Sequence, residues 1–211
     1  RYLAQSELKG EPAQLYAPIT YSMEEGGKRL RPMLTLLSCG IFADEIEAAM
    51  PRAAAVEFFH NFTLLHDDIM DNAPIRRGKP SVFRKWNQNI AILSGDAMIV
   101  YAYQLLEKAP SELLPRLFNV FNTTAMKVFE GQQYDMDFES REEVAIEEYI
   151  EMINLKTAVL LSGAARMGAI VGGASDEDLD HITRFADELG LAFQLQDDLL
   201  DSYGTEAQLG K

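Results

Sequence analysis

The chain has 211 residues, 47% of them hydrophobic, which is enough for one substantial domain with a buried core. Its net charge of −14 leaves no whole-chain basic footprint, so no nucleic-acid partner is expected. A single cysteine, Cys39, rules out an internal disulfide framework and fits a reducing, cytoplasmic compartment.

Taken in chain order, the first informative stretch is YSMEEGGKRLRP (21–32), where paired glycines precede Lys28, Arg29 and Arg31. Glycine lets backbone approach a phosphate closely, although a basic run after Gly-Gly also reads as a solvated helix start. Apolar residues at i, i+3/i+4 and i+7 then predict a helix over 48–70, broken by Asn72-Ala73-Pro74. Further helices are expected over 90–108, 113–129, 147–171 and 176–203. Pro110-Ser111, Gly172-Gly173 and Gly204 separate or end them, and Ser111-Glu112 and Ser175-Asp176 read as helix starts. The longest apolar run, 157–174, is interrupted by Arg166 and several glycines, so no transmembrane segment is expected, and no signal-peptide pattern is seen. No stretch alternates with period two between hairpin signals, so strands are not required. The reading is one all-α domain of long helices over 1–211. A first residue other than Met and a last pair Gly210-Lys211 suggest cut ends.

Two of these helices carry the same acidic pattern. Asp67-Asp68-Ile69-Met70-Asp71 and Asp197-Asp198-Leu199-Leu200-Asp201 both read DDxxD amid Leu, Ile and Phe. At 3.6 residues per turn, Asp67 shares a face with Asp71, and Asp197 with Asp201. Like charges at that spacing cost helix stability, and both clusters fall in the C-terminal half of their helix, where the macrodipole disfavours carboxylates. A solvated face explains one such cluster; two call for a compensating cation. Mg²⁺ takes a few carboxylates, keeps waters and completes its shell with phosphate oxygens.

Other groups fall around the clusters. His60 lies seven residues before Asp67, so His60, Thr63/Leu64, Asp67 and Asp71 form a stripe; His66 lies off it and reads as structural. Arg76-Arg77-Gly78 follows the first cluster within one loop, as salt-bridge partners or as planar phosphate ligands. Lys156-Thr157 sits mid-helix, and Gln194 sits one turn before Asp198. A Lys, a hydroxyl and an amide near a metal-bound diphosphate would assist its departure and stabilise nearby positive charge. Carboxylates alone would repel a diphosphate, so acidic plus basic clusters imply a bridging cation and an amphiphilic diphosphate substrate.

These residues resemble the trans-prenyltransferases, or polyprenyl diphosphate synthases. The resemblance rests on GGKRLRP (26–32), HNFTLLHDDIMD (60–71), RRGKPS (76–81), Gly95-Asp96, GQxxD (131–135), Lys156-Thr157, FQLQDDLLD (193–201) and Gly210-Lys211, in the family's order across nearly the whole chain. It implies an isoprenoid synthase fold, all-α, with two DDxxD helices facing across a deep cavity, usually in a homodimer. It also implies a three-Mg²⁺ cluster on Asp67, Asp71 and Asp197, with Asp68, Asp198 and Asp201 in support. Arg76, Lys156 and Lys211 would hold an allylic diphosphate, and Lys28, Arg31, His60 and Arg77 isopentenyl diphosphate. Thr157 and Gln194 would face the developing allylic cation. Members usually continue past the Gly-Lys pair with further helices, so the single isoprenoid synthase domain expected over 1–211 reads as one cut before its C-terminal helices.

In the family, bulky residues just before the first DDxxD form a floor for the growing chain; here these are Phe62 and Thr63, and products of C15–C20 are expected. A helical wheel puts Thr63 more squarely under Asp67 than Phe62, so the role of Phe62 leans on the resemblance. Rival readings are a non-catalytic subunit of a heteromeric synthase, a terpene cyclase and a metal-dependent phosphatase. Two intact aspartate clusters and the GGKRLRP segment weigh against the first two, and no placed base for water against the third.

Overall fold

The structure, a computed structural model, describes residues 2–5, 8, 10–24 and 26–203. Ten α-helices follow one another among these residues. They are α1 (Tyr2–Gln5), α2 (Ala13–Glu24), α3 (Leu30–Phe42), α4 (Met50–Met70), α5 (Val82–Lys85), α6 (Gln88–Leu106), α7 (Leu114–Glu139), α8 (Ile146–Ile153), α9 (Val159–Gly172) and α10 (Asp176–Tyr203). A π turn, Asn154–Ala158, joins α8 to α9 without a break in the helical path. The all-α expectation holds.

The long helix α4 is central because its first half is buried on nearly every side, Arg52 and Glu57 being the charged residues among the buried alanines, Val56 and phenylalanines. Ala53, Ala54, Ala55, Val56, Phe58 and Phe59 are all buried, each large side chain contributing about 1.5–3 kcal/mol. Phe58 packs edge-on to Tyr101 of α6 and Phe59 edge-on to Phe121 of α7. On the far side, α3 turns small residues (Pro32, Thr35, Ser38, Cys39) towards α9. Gly168 of α9 comes so close that a Cβ there would stand 1.9 Å from the Thr35 carbonyl oxygen.

The helix ends follow local chemistry. Asn87 caps α6 by accepting the Ile90 N–H at 2.9 Å. Ser175 and Asp178 cap α10 reciprocally, since the Ser175 hydroxyl accepts the Asp178 N–H while the Asp178 carboxylate accepts the Ser175 N–H. Gly173 ends α9 in the left-handed conformation, φ 89°.

Several expectations need correction. Ser111-Glu112 does not cap a helix: 111–113 form a turn, and α7 starts at Leu114 with Pro115 in its first turn. That helix runs ten residues past the expected end at 129, because its last turns are polar and face solvent and a cavity. Two helices near the start, α2 and α3, carry no clean apolar stripe and were not expected; α3 leaves Met33, Leu37 and Ile41 exposed. A short antiparallel hairpin, β1 (Ile75–Arg76) and β2 (Lys79–Pro80), turns at Arg77-Gly78, both at positive φ (52° and 76°). Two-residue strands are too short to show alternation. By length and composition alone, Gln88–Leu106 and Ile146–Gly172 could cross a membrane, although the second is mostly buried, as a core helix is.

Candidate active site

The C-terminal halves of α4 and α10 face one cavity of about 550 Å³, and Asp67 and Asp197 both line it. His60, Thr63, Leu64, Asp67 and Met70, one stripe of α4, form one wall. Burial pushes the Asp67 carboxyl up to about 6, against the pull of Lys156 and with a further push from Asp71. Asp71 caps the end of α4 in an exposed position, one turn beyond Asp67, outside the cavity lining.

The middle aspartate of each cluster is spent on the protein. Asp68 is 3% exposed and accepts two hydrogen bonds from Arg76, at 2.9 and 2.6 Å, through one carboxylate oxygen. Burial raises its pKa while Arg76 opposes that shift. Arg76 is thereby aimed into the cavity it lines. Asp198 accepts a hydrogen bond from the Tyr149 hydroxyl and one from Gln194 Nε2, the latter at 2.8 Å. Desolvation first, then this bond to Asp198, pushes the Tyr149 hydroxyl up to about 12, so it remains a donor. Gln194 lines the cavity but commits an amide N–H to Asp198.

Lys156 and Thr157 enter the same cavity from the π turn. Such turns carry an extra residue and concentrate at functional sites. The Lys156 ammonium donates to Asp135 of α7 at 2.5 Å. Asp135 belongs to the GQxxD segment, yet 21 residues separate the pair, and no local pattern could have joined them.

A second cavity of about 520 Å³ adjoins the first, sharing Arg31, His60, Arg77, Phe193 and Asp197 with it, and adds Gly27, Lys28 and Arg29. Its lining holds four cationic side chains, Lys28, Arg29, Arg31 and Arg77, against two carboxylates, Glu57 and Asp197. Burial brings the Arg31 guanidinium down to about 10, and one of its N–H groups lies 3.2 Å from His60 Nε2. Burial, then the surrounding arginines, holds His60 well below the usual histidine range, so it is a neutral acceptor for Arg31. Lys28 lies over the Phe193 ring, 5.6 Å from its centre. Arg29 instead turns inward to Glu57, which is 3% exposed, and to the Met23 carbonyl at 2.6 Å. The two glycines serve a different neighbour from the one the sequence suggests. Arg77 donates to the Gly26 carbonyl at 2.7 Å, and a Cβ on Gly27 would meet the Arg77 guanidinium at 3.2 Å. Gly26 and Gly27, both at positive φ, thus admit the Arg77 side chain.

Away from the charges the first cavity becomes aromatic. Phe62 lines its inner end, 7% exposed, and packs against Phe59, Phe129 and His66 with ring centres 5.6, 5.9 and 4.8 Å apart. Thr63 lines the wall beside it and donates to the His60 carbonyl at 2.7 Å. His66, read as structural, also lines the cavity, and its ring is held near Ile92 O at 3.2 Å. Phe129, Gln132, Tyr149 and Asp135 were absent from the sequence-based candidates; only Gln132 and Asp135 lay in a quoted motif, GQxxD (131–135). Lys211 and the Asp201 side chain lie outside the described residues.

Among the described residues no three histidine, cysteine or carboxylate groups form a complete metal cage. A hard divalent cation that draws part of its shell from substrate phosphates needs only one or two protein carboxylates. Asp67 and Asp197 on one cavity, with cationic side chains around them, are a donor set of that kind.

Comparison with known proteins agrees with this geometry. The chain is 43% identical over 202 residues to a geranylgeranyl diphosphate synthase of Methanosarcina mazei, covering 95% of this chain and 62% of that protein. It is 40% identical to the Sulfolobus acidocaldarius geranylgeranyl diphosphate synthase, covering 99% of this chain and 64% of the relative. The crystal structure of a geranylgeranyl pyrophosphate synthetase from Pyrococcus horikoshii superposes with a TM-score of 0.94 at 37% identity, over 99% of this chain and 64% of that one. The chain thus spans less than two thirds of the length of these relatives. The fold is that of the isoprenoid synthases, and the polyprenyl synthetase family model matches residues 12–211. The chain belongs to the polyprenyl synthetase family.

Proposed function

We propose that the protein is a Mg²⁺-dependent trans-prenyltransferase, condensing isopentenyl diphosphate with an allylic diphosphate to give a trans-polyprenyl diphosphate of C15–C20. The observation that carries this reading is one cavity lined by carboxylates from both DDxxD helices, by cationic side chains and by the packed pair Phe62 and Phe129. Asp67, Asp71 and Asp197 would hold Mg²⁺, which when bound supplies Lewis-acid stabilisation of the departing diphosphate. Arg76, steadied by Asp68, and Lys156, steadied by Asp135, would grip the allylic diphosphate. Arg31, Arg77, Lys28 and neutral His60 would hold isopentenyl diphosphate in the adjoining cavity. As the allylic carbon–oxygen bond breaks, the isopentenyl double bond attacks the allylic carbon and the released diphosphate takes the proton. Thr157 and Gln194 present oxygens where positive charge develops, while Leu160, Phe129 and Phe62 exclude water. The product range is supported by the aromatic closure at Phe62. A homodimer and a cytoplasmic location belong to the same proposal, on the family resemblance and the single reduced cysteine.

The test is incubation with isopentenyl diphosphate, Mg²⁺ and each of the C5, C10 and C15 allylic primers, with products resolved by chain length. Elongated all-trans diphosphates that vanish with EDTA are expected. No product from a protein that still binds Mg²⁺ and inorganic diphosphate would refute the reading in favour of a non-catalytic subunit.

A further inference from the structure

The π turn that carries Lys156 and Thr157 is gripped from two sides by glycines. On α7, Gly131 is buried against it: a Cβ there would stand 2.3 Å from the Lys156 backbone nitrogen and 2.7 Å from the Leu155 carbonyl carbon. On α10, Gly190 is also buried, and its Cβ would meet Ala158 Cα at 2.6 Å and Cβ at 2.7 Å. The nearest obstacles are backbone or the first side-chain carbon, so no rotamer change relieves them. One helix would have to move by about 1 Å to restore ordinary contact. A π turn is a rare, single-turn departure from the α-helix and needs its surroundings to hold it. The same two helices supply what the turn works with. Asp135, one turn beyond Gly131, accepts from Lys156, and Asp197, nearly two turns beyond Gly190, lines the shared cavity.

We propose that Gly131 and Gly190 are positioning residues that seat the π turn, so that Lys156 and Thr157 stand in catalytic register with Asp67 and Asp197. The inference rests on the prenyl-transfer reading. A displacement near 1 Å at a catalytic group can cost about 100-fold in rate. Isopentenyl diphosphate is assigned to Lys28, Arg31, His60 and Arg77, which come from α3, α4, the hairpin and the glycine loop. Its binding should therefore survive the displacement. To that cavity α10 adds only the Phe193 ring, beneath Lys28, and Asp197, so the cleaner split between kcat and KM is expected of Gly131→Ala.

The experiment compares Gly131→Ala and Gly190→Ala with Gly168→Ala, which overpacks the α3–α9 contact away from the cavity. Each is assayed below its own melting temperature, with folding confirmed by circular dichroism. Gly131→Ala and Gly190→Ala are expected to lower kcat by about 100-fold. The KM for isopentenyl diphosphate should stay within about threefold of the unaltered protein. Gly168→Ala is expected to lower the melting temperature without that kinetic split. A kcat within about threefold of the unaltered protein in folded Gly131→Ala and Gly190→Ala overturns the inference. Loss of folding in both does so too, since the glycines would then serve the fold alone. If the unaltered protein makes no elongated product, the prenyl-transfer reading fails first. If it is active and the glycine variants match it, only the inference fails.

Discussion

Replacement of Phe62 by alanine tests whether the aromatic end of the cavity limits product length. Phe62 is 7% exposed, and its ring meets Phe59, His66 and Phe129 at 4.8–5.9 Å between centres. Truncating a buried phenylalanine costs about 3–5 kcal/mol; one side of this ring already faces the cavity, so the lower end, about 3 kcal/mol, applies. For a domain of this size that is a fall of roughly 6–12 °C in melting temperature, which leaves a folded protein to assay at moderate temperature. Phe59 and Phe129 are held by their own neighbours, including the Phe59–Phe121 contact at 5.3 Å, so the vacated space persists and opens onto the existing cavity. The growing chain then has room for at least one further five-carbon unit. Dephosphorylated products of Phe62→Ala, separated by reversed-phase chromatography, should shift to longer chains, with Phe62→Leu intermediate. An unchanged product distribution from folded Phe62→Ala, melting where expected, would refute the reasoning.

Asp67→Asn should lower kcat by at least about 100-fold, because the cavity loses a carboxylate that faces it. Asp68→Asn should act more through the KM of the allylic diphosphate, by about 10–100-fold, since Asp68 aims Arg76; the two profiles separate by steady-state kinetics. Glu57→Gln should destabilise by about 3 kcal/mol, the low end for breaking a buried ion pair, because Arg29 is 24% exposed; thermal melts should fall by roughly 6–12 °C. With Asp67 pushed up to about 6, Mg²⁺ must displace a proton at lower pH. Mg²⁺-dependent binding of inorganic diphosphate, read by calorimetry, should weaken by up to about tenfold per unit below pH 6. The raised pKa sets the opposite sign for the metal-free fold: the Asp67 contribution is largest below pH 3.8 and is lost as pH rises through about 6. An affinity flat between pH 5 and 7 would contradict the burial argument.

Much of this was legible in the chain itself. The helical class followed from apolar residues at helical spacing, because long helices repeat one local rule many times. The two DDxxD clusters stood out because they violate helix electrostatics twice in the same way, and such a violation marks function wherever the chain folds. The basic runs could be found by composition, and so could the stripe from His60 to Asp67, since neighbours within one helix are set by the 3.6-residue period.

What the tertiary structure decided is how these groups divide the work. Identical aspartates in each cluster part ways: Asp67 and Asp197 line the cavity, while Asp68 holds Arg76 and Asp198 receives Tyr149 and Gln194. Spacing alone assigns all of them the same chemistry, and the family resemblance places Asp68 and Asp198 in support; the β1 hairpin and α8 supply the partners, Arg76 and Tyr149, that each is spent on. The polar end of α7 shows the same limit. Its last ten residues have no apolar stripe because they face solvent and the cavity, so periodicity stops where the candidate site begins. Contacts between residues far apart in the chain, such as Lys156 with Asp135 or Gly131 with the π turn, depend on helix–helix distances that no local pattern encodes. Periodicity fixes which residues share a face, and packing alone fixes what that face meets.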